Sequence, residues 1–412
     1  MAPKRTTPFQ ILAALLPGTS LRSTQAAYLQ VLLVLWLVVP GRLNFTNLAR
    51  YGGPSERTHR AWFQKPMPWV ELNTSLILQM QDQQCLGRES IIGIDAVFID
   101  KNGRCTPGVA QFWSGCQQRS LSGLEGSCVT WVDLDTQQPF PLSISQTPTD
   151  LPGEQTRTDV YAQDTLNTLA QLPPAMREQV LAVVGDAYYA KRKFVDPVAD
   201  EGQLPFVGKL RRDASLKHLY FGPRTGRRGR PKKYDGQASL SDFSRWDVLP
   251  WMDACTAYTT VVYAVGLKRV VRVVALLWPG KSGMTLELLF STDPTMDAGT
   301  IVKLYRARFA MEFPFRDGKQ FAGLGDCQSR QAQALHFHWN MALHSVSVAR
   351  ASQLMSQRQR AGPLVFSMED EKRRAYNEFF ADRILSLLPG DLTCEKFAPQ
   401  IADLLLLGVK AA

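Results

Sequence analysis

The run Ile91-Ile-Gly-Ile-Asp95-Ala-Val-Phe-Ile99 constrains this chain more than any other stretch. Short apolar runs rich in β-branched residues form buried strands. A carboxylate in the middle of one is costly to desolvate unless it is paired, hydrogen-bonded or bound to a metal. Two readings of Asp95 follow. It accepts hydrogen bonds from backbone or arginine, as most buried acids do, or it is a ligand in a site.

The rest of the pattern surrounds that strand with a mixed α/β plan. Residues 1–86 carry helical periodicity, from Phe9 to Leu16 and from Tyr28 to Val39. After Ile91 come further strands at Gly108 to Ser114, Ser127 to Asp133 and Pro139 to Gln146, then an amphipathic helix from Thr158 to Leu172 and a strand from Val180 that ends on Asp186. Strands followed by alternating helix and strand predict a mixed sheet flanked by helices. Residues 213–282 interrupt it as a β-rich insertion with a basic loop, with strands at Tyr258 to Val265 and Val270 to Trp278. A strand from Thr285, one long helix from Asp297 and another from Ala334 complete a second core segment over 283–360, and 361–412 is a C-terminal tail with apolar stretches at Phe379 to Leu388 and Ile401 to Val409. The division is thus 1–86, 87–212, 213–282, 283–360 and 361–412; with 87–212 and 283–360 as two parts of one core this makes four units, within the two to four expected of 412 residues.

Charge narrows the partner. Lys and Arg number 47 against 37 for Asp and Glu, a formal +10, which favours a polyanion. No basic amphipathic helix is present to lie on a membrane, and the apolar run Tyr28 to Pro40 is too short to span one. Seven cysteines without a C-x2-C pair argue for reduced thiols in a cytoplasmic, bacterial-type protein. Nucleic acid is the first candidate, which implies association with the nucleoid.

Two segments look made for DNA. Asn47 to Trp62 has the form of helix, glycine turn and a second helix capped by Ser55, from which Arg57, His59 and Arg60 project. This fits a helix-turn-helix whose second helix enters the major groove. The loop containing Arg228, Arg230, Lys232 and Lys233 reads Arg-Gly-Arg-Pro-Lys-Lys, the core of a minor-groove AT-hook or else a basic loop gripping phosphates without sequence preference. Lys191-Arg192-Lys193 and Lys209 with Arg211 and Arg212 extend the basic surface near Asp186. Trp246, Trp251 and Trp278 could stack on an extruded base, although a core role is the ordinary fate of a tryptophan. His336 and His338 point apart on a helix, against a shared metal site.

A stripe on the helix from Asp297 supplies a third acid. At about 100° per residue, Tyr305, Arg308, Glu312, Arg316 and Lys319 share one face. A solvated row of ion pairs would look the same. Interleaved Phe309, Met311, Phe313, Phe315 and Phe321 place the helix against a core, and Pro314 should kink it beside Glu312. Asp95, Asp186 and Glu312 together could hold two Mg²⁺ or Mn²⁺ ions about 3.5–4 Å apart, while the cations hold phosphate oxygens.

At this point the chain resembles a known family. Ile94-Asp95 with Lys101-x-Gly103 and Thr106-Pro107-Gly108, then Val184-Gly185-Asp186-Ala187-Tyr188-Tyr189, then Tyr305, Arg308, Glu312 and Lys319, look like DDE transposases of bacterial insertion sequences. The subgroup is that named for its Tyr-Arg-Glu-Lys (YREK) motif. The resemblance implies an RNase H-like core with a β-rich insertion and an N-terminal helical DNA-binding domain, and an enzyme that binds terminal inverted repeats, cleaves with two divalent ions and transfers the 3′-OH strand to target DNA. It implies Asp95, Asp186 and Glu312 as catalytic metal ligands, Tyr305, Arg308 and Lys319 as DNA contacts, and a homodimer on paired ends. Ala96-Val97 stands where many relatives carry Asp-Thr, and Asp100 falls on the other face of the strand. A non-mobile RNase H-like nuclease and a domesticated DNA-binding regulator are the rival readings.

Overall fold

The computed structural model describes residues 7–386 apart from 104, 115–116, 224–230, 251–254, 281–282 and 358–365. Arg228, Arg230, Trp251 and the stretch from Ile401 to Val409 therefore lie outside the described residues. Five helices lead: α1 Pro8–Leu15, α2 Ser23–Val38, α3 Phe45–Arg50, α4 Glu56–Trp62 and α5 Trp69–Asp82. Strands β1 Ser90–Asp100, β2 Ala110–Ser114, β3 Arg119–Asp133 and β4 Pro139–Gln146 follow, then α6 Arg157–Ala170, α7 Pro174–Arg177, β5 Val180–Val184 and α8 Arg192–Asp196. Next come β6 Phe206–Leu210, β7 Leu216–Leu219, β8 Tyr234–Gln237, β9 Asp247–Leu249, β10 Thr256–Ala264, β11 Arg269–Gly280 and β12 Gly283–Ser291. Helices α9 Ala298–Ala307, α10 Glu312–Gln320, α11 Ala332–Gln357 and α12 Met368–Leu385 close the described chain.

β1 is the axis of the sheet, as its β-branched run predicts. It pairs antiparallel with β3 on one side and parallel with β5 on the other. From there the order runs β2-β3-β1-β5-β6-β12-β11-β10-β7-β8, with β4 beside β3 and β9 beside β10. Among the described residues only β1/β5 and β5/β6 are parallel, so this is a mixed sheet flanked by helices, consistent with an RNase H-like fold. Residues 213–282 supply β7 to β11, and these strands extend the same sheet through β12.

The two faces of the sheet bury different helices. Ile92 and Ile94 join a core with Leu32, Trp36 and Leu76 of the leading helices and Trp339 and Val346 of α11. Ile91 joins Val184, Val207, Val274, Ile301, Leu304 and Met311 on the face covered by α9. Because side chains alternate along a strand, Gly93 and Asp95 belong to this second face. α2 and α11 are apolar around most of their circumference, which is why both lie inside. Among the described residues no helix is long and apolar enough to cross a membrane.

The edge of β4 is sealed by amide side chains. The Ile144 amide donates to Asn340 Oδ1 (3.0 Å), and Asn340 Nδ2 donates back to the Ile144 carbonyl (2.8 Å). Leu142, left over where the β3/β4 register shifts, has its carbonyl taken by Asn73 Nδ2 (3.0 Å). Open strand edges are a liability unless covered, and these two asparagines provide the cover.

Three expectations change. The helix from Asp297 is not continuous: a tighter 3₁₀ turn, Arg308–Met311, separates α9 from α10. Pro314 lacks the amide that a continuous helix would direct at the Ala310 carbonyl, so the interruption lies directly beside Glu312, as expected, and takes the form of a full turn with a new helix restarting at the acid. Phe309 and Phe313 are 56% and 36% exposed and pack edge-to-face on each other at 5.6 Å, whereas Met311 and Phe315 are buried. His59 does not project towards solvent; it is buried, with Nδ1 hydrogen-bonded to Tyr28 OH at 2.9 Å.

Candidate active site

A glycine builds the centre of the site. A Cβ on Gly93 would fall 2.0 Å from Met311 Sδ. With hydrogen in that place, the 3₁₀ turn lies directly on β1, two residues from Asp95 on the same face. A glycine inside a strand often marks such a close approach, so the sequence carried this signal. Arg308 and Glu312 flank Met311 and are brought with it.

Asp95 sits in a desolvated setting. Burial pushes its carboxyl up to about 6, Asp186 and Glu312 push it in the same direction, and Arg308 and the Ala96 amide oppose them. Arg308 Nη1 lies 3.5 Å from Asp95 Oδ2, with the two side chains only 17% and 25% exposed. The Ala96 amide donates to Asp95 Oδ1 at 2.9 Å. Cys128, opposite Asp95 in the β1/β3 register, has its thiol pushed up to about 12, chiefly by burial. It is a packing residue.

Asp186 leaves the carboxyl end of β5, beside β1. Its Oδ1 accepts the Tyr188 amide at 2.8 Å, so it caps its own turn and not the helix α8. Glu312 opens α10, where an acid favours the helix dipole; it is exposed. The three carboxylates thus share one field. They do not close into a cage: among the described residues no set of three acidic, histidine or cysteine side chains is gathered tightly enough to hold a metal. As a donor set they suit a hard divalent ion, being all oxygen and anionic with one member desolvated.

The cations of the predicted stripe part company at the 3₁₀ turn. Tyr305 and Arg308 stay together, the guanidinium 5.7 Å from the ring centre. Arg308 Nε is buried without a partner among the described residues, leaving the guanidinium a donor to spare. Arg316 bonds the buried carboxylate of its neighbour Asp317 (2.9 Å), which also faces buried Arg350 at 3.4 Å. Lys319 stands roughly 10 Å further along α10 than Glu312 at 1.5 Å per residue. It lines a separate cleft of about 400 Å³ with Arg42, Asp326, Lys372 and Arg373. Burial lowers its pKa. Sequence reasoning missed Arg42 and Arg373, because they come from opposite ends of the chain.

The other basic residues vary in how free they are. Arg57 is exposed on α4, where Ser55 Oγ caps the helix by accepting the Thr58 amide at 3.2 Å. Arg60 pairs with Glu56 and lies 5.0 Å from the Phe45 ring centre. Lys232 pairs with Asp235 at 2.7 Å, Lys233 is exposed, and Lys209 is tied to Glu287 at 2.8 Å. Trp246 is buried in the core and Trp278 half-buried. His338 bonds the Gly323 carbonyl and His344 the Asn73 side chain, so neither belongs to the site.

A family model described as DDE superfamily endonuclease covers residues 12–269, more than half of the chain. The matched span takes in Asp95 and Asp186 and ends before Glu312. No curated protein matches the chain.

Proposed function

The chain belongs to the DDE superfamily endonucleases, and from that premise we propose that it is a DNA transposase of the YREK subgroup. It binds the inverted repeats at the ends of its element, cuts there and transfers the 3′-OH strand to target DNA. One observation carries the reading: Asp95 and Asp186 leave the neighbouring parallel strands β1 and β5, and the turn packed on Gly93 delivers Glu312 and Arg308 beside them.

Asp95, Asp186 and Glu312 would hold two divalent ions, Mg²⁺ or Mn²⁺, which when bound supply an activated oxygen nucleophile and charge stabilisation at the leaving oxygen. The chain's own residues do the rest. Arg308, whose guanidinium faces Asp95, and Tyr305 position the scissile phosphate. Lys319, further along α10, takes a phosphate beyond it. The helices α3 and α4, with Arg57 and Arg60, and the basic loop from Arg228 to Lys233 grip duplex away from the cut. Pairing two ends calls for a dimer on DNA.

The test uses DNA carrying the sequences that flank the gene. Ala at Asp95, Asp186 or Glu312 should each abolish Mg²⁺-dependent cleavage while leaving binding intact. Undiminished cleavage by these variants would sink the assignment. Joined products separate a transposase from a nuclease that only cuts, and binding without turnover in the native protein would leave a regulator.

A further inference from the structure

One cleft near the acids is not lined by them. It has a volume of about 510 Å³, within the usual range for small-molecule sites, and lies between the start of α6, the turn after Asp186 and Gly266 in the β10/β11 hairpin. Tyr188 stands in it 43% exposed. The ring is held edge-on by buried Tyr189 (5.5 Å, 79°) and by buried Tyr161 (6.0 Å, 62°), so it is a fixed platform. Its backbone amide is the one that holds Asp186, which ties the platform to a catalytic carboxylate.

The charged lining is largely spoken for. Arg192 pairs with Asp196, Lys193 with Asp159, and Arg157 approaches Glu125 at 3.9 Å. Of these cations and Lys191, only Lys191 makes no ion pair among the described residues. Its ammonium sits 3.7 Å from the Tyr188 ring centre, a contact weak enough at an exposed ring to be exchanged for an anion. Arg157 and Thr158 open a fourteen-residue helix whose Asp159 closes a capping box on Thr156, its amide bonded to the Thr156 carbonyl and its carboxylate accepting the Thr156 amide, which leaves the two amides of Arg157 and Thr158 at the cleft. An aromatic platform, a cation with no ion pair among the described residues and two amides at a helix start, around a nucleotide-sized cleft, match a base and its phosphate together.

We propose that this cleft is a nucleotide pocket, which takes one unpaired nucleotide of the strand cut beside Asp186. The base lies on Tyr188, and the phosphate sits between the first amides of α6 and Lys191. The proposal rests on the transposase reading, since it needs DNA at the acids.

The experiment compares full-length protein binding to a blunt duplex and to the same duplex with a three-nucleotide single-stranded extension, by fluorescence anisotropy in EDTA. The native protein should prefer the extended DNA about tenfold, the scale of one base stacked on an aromatic ring. Tyr188→Ala should lose that preference and Tyr188→Phe keep it. Gly266→Phe should lose it too: a Cβ there meets nothing within 4 Å, so the new ring fills the cleft without backbone strain. A native protein without the preference, or a Tyr188→Ala variant that retains it, overturns the pocket while duplex binding and metal-dependent cleavage leave the transposase reading standing. Failure to bind any DNA overturns both.

Discussion

Replacing Asp95 by Asn should make the metal-free protein more stable at neutral pH while ending its activity. The rise of the Asp95 carboxyl from the usual 3.8 to about 6 corresponds to about 3 kcal/mol at 1.36 kcal/mol per pKa unit. Only a quarter of the side chain is exposed, so solvent screens little of it. The folded pKa lies above the unfolded one, so folding favours the protonated form. That contribution is fully present below about pH 3.8 and is lost as pH rises through about 6. Asparagine keeps an acceptor for the Ala96 amide but cannot ionise. The variant should therefore match the native protein near pH 4 and exceed it by about 3 kcal/mol at pH 7.5. Urea unfolding in EDTA at both values, followed by tryptophan fluorescence, measures the gap. Added Mg²⁺ should stabilise the native protein alone and narrow it. A gap that is absent at pH 7.5, or the same at both pH values, would refute the placing of an ionised, desolvated carboxylate at this position.

Two further outcomes test how the site is held. Gly93→Ala forces Met311 away from β1 and should cost about 1–3 kcal/mol by overpacking, with a larger fall in cleavage than in duplex binding; adding Met311→Ala should restore much of the lost stability in the same denaturation assay. Asn340→Leu strands the amide and carbonyl of Ile144 inside the protein and should lower stability by about 2–6 kcal/mol, at about 1–3 kcal/mol for each unsatisfied group; an unchanged denaturation midpoint would show that the β4 edge is sealed by other means.

Strands and helices whose cause is local were legible in the sequence. β1, the β10/β11 hairpin and α11 follow directly from β-branched runs and helical periodicity. β6 was not legible: Phe206-Val-Gly-Lys-Leu210 is short, carries a glycine and a lysine, and owes its state to partners β5 and β12. A helical wheel assumes an ideal helix and collapses its length, so it could show neither the 3₁₀ turn nor the rise that puts Lys319 in a separate cleft from Tyr305 and Arg308. That turn depends on Met311 meeting Gly93, a contact between distant parts of the chain. His59 was misplaced for the same reason, since Tyr28 on α2 decides its burial. Among the site residues, the acid in the apolar strand was conspicuous, whereas Tyr188 stood within the Asp186 motif and acquires a role only from the cleft around it.

The unbroken sheet makes the molecule a stiff plate. From β8 at one edge to β1, every neighbouring pair of strands is hydrogen-bonded. A load applied at the β8 edge has no hinge in which to dissipate within that ladder, and it travels as a change of twist. It reaches β5 and β1, the strands in which Asp186 and Asp95 are rooted. If the basic loop before β8 grips duplex as proposed, force on that duplex would be felt at the carboxylates through the backbone alone.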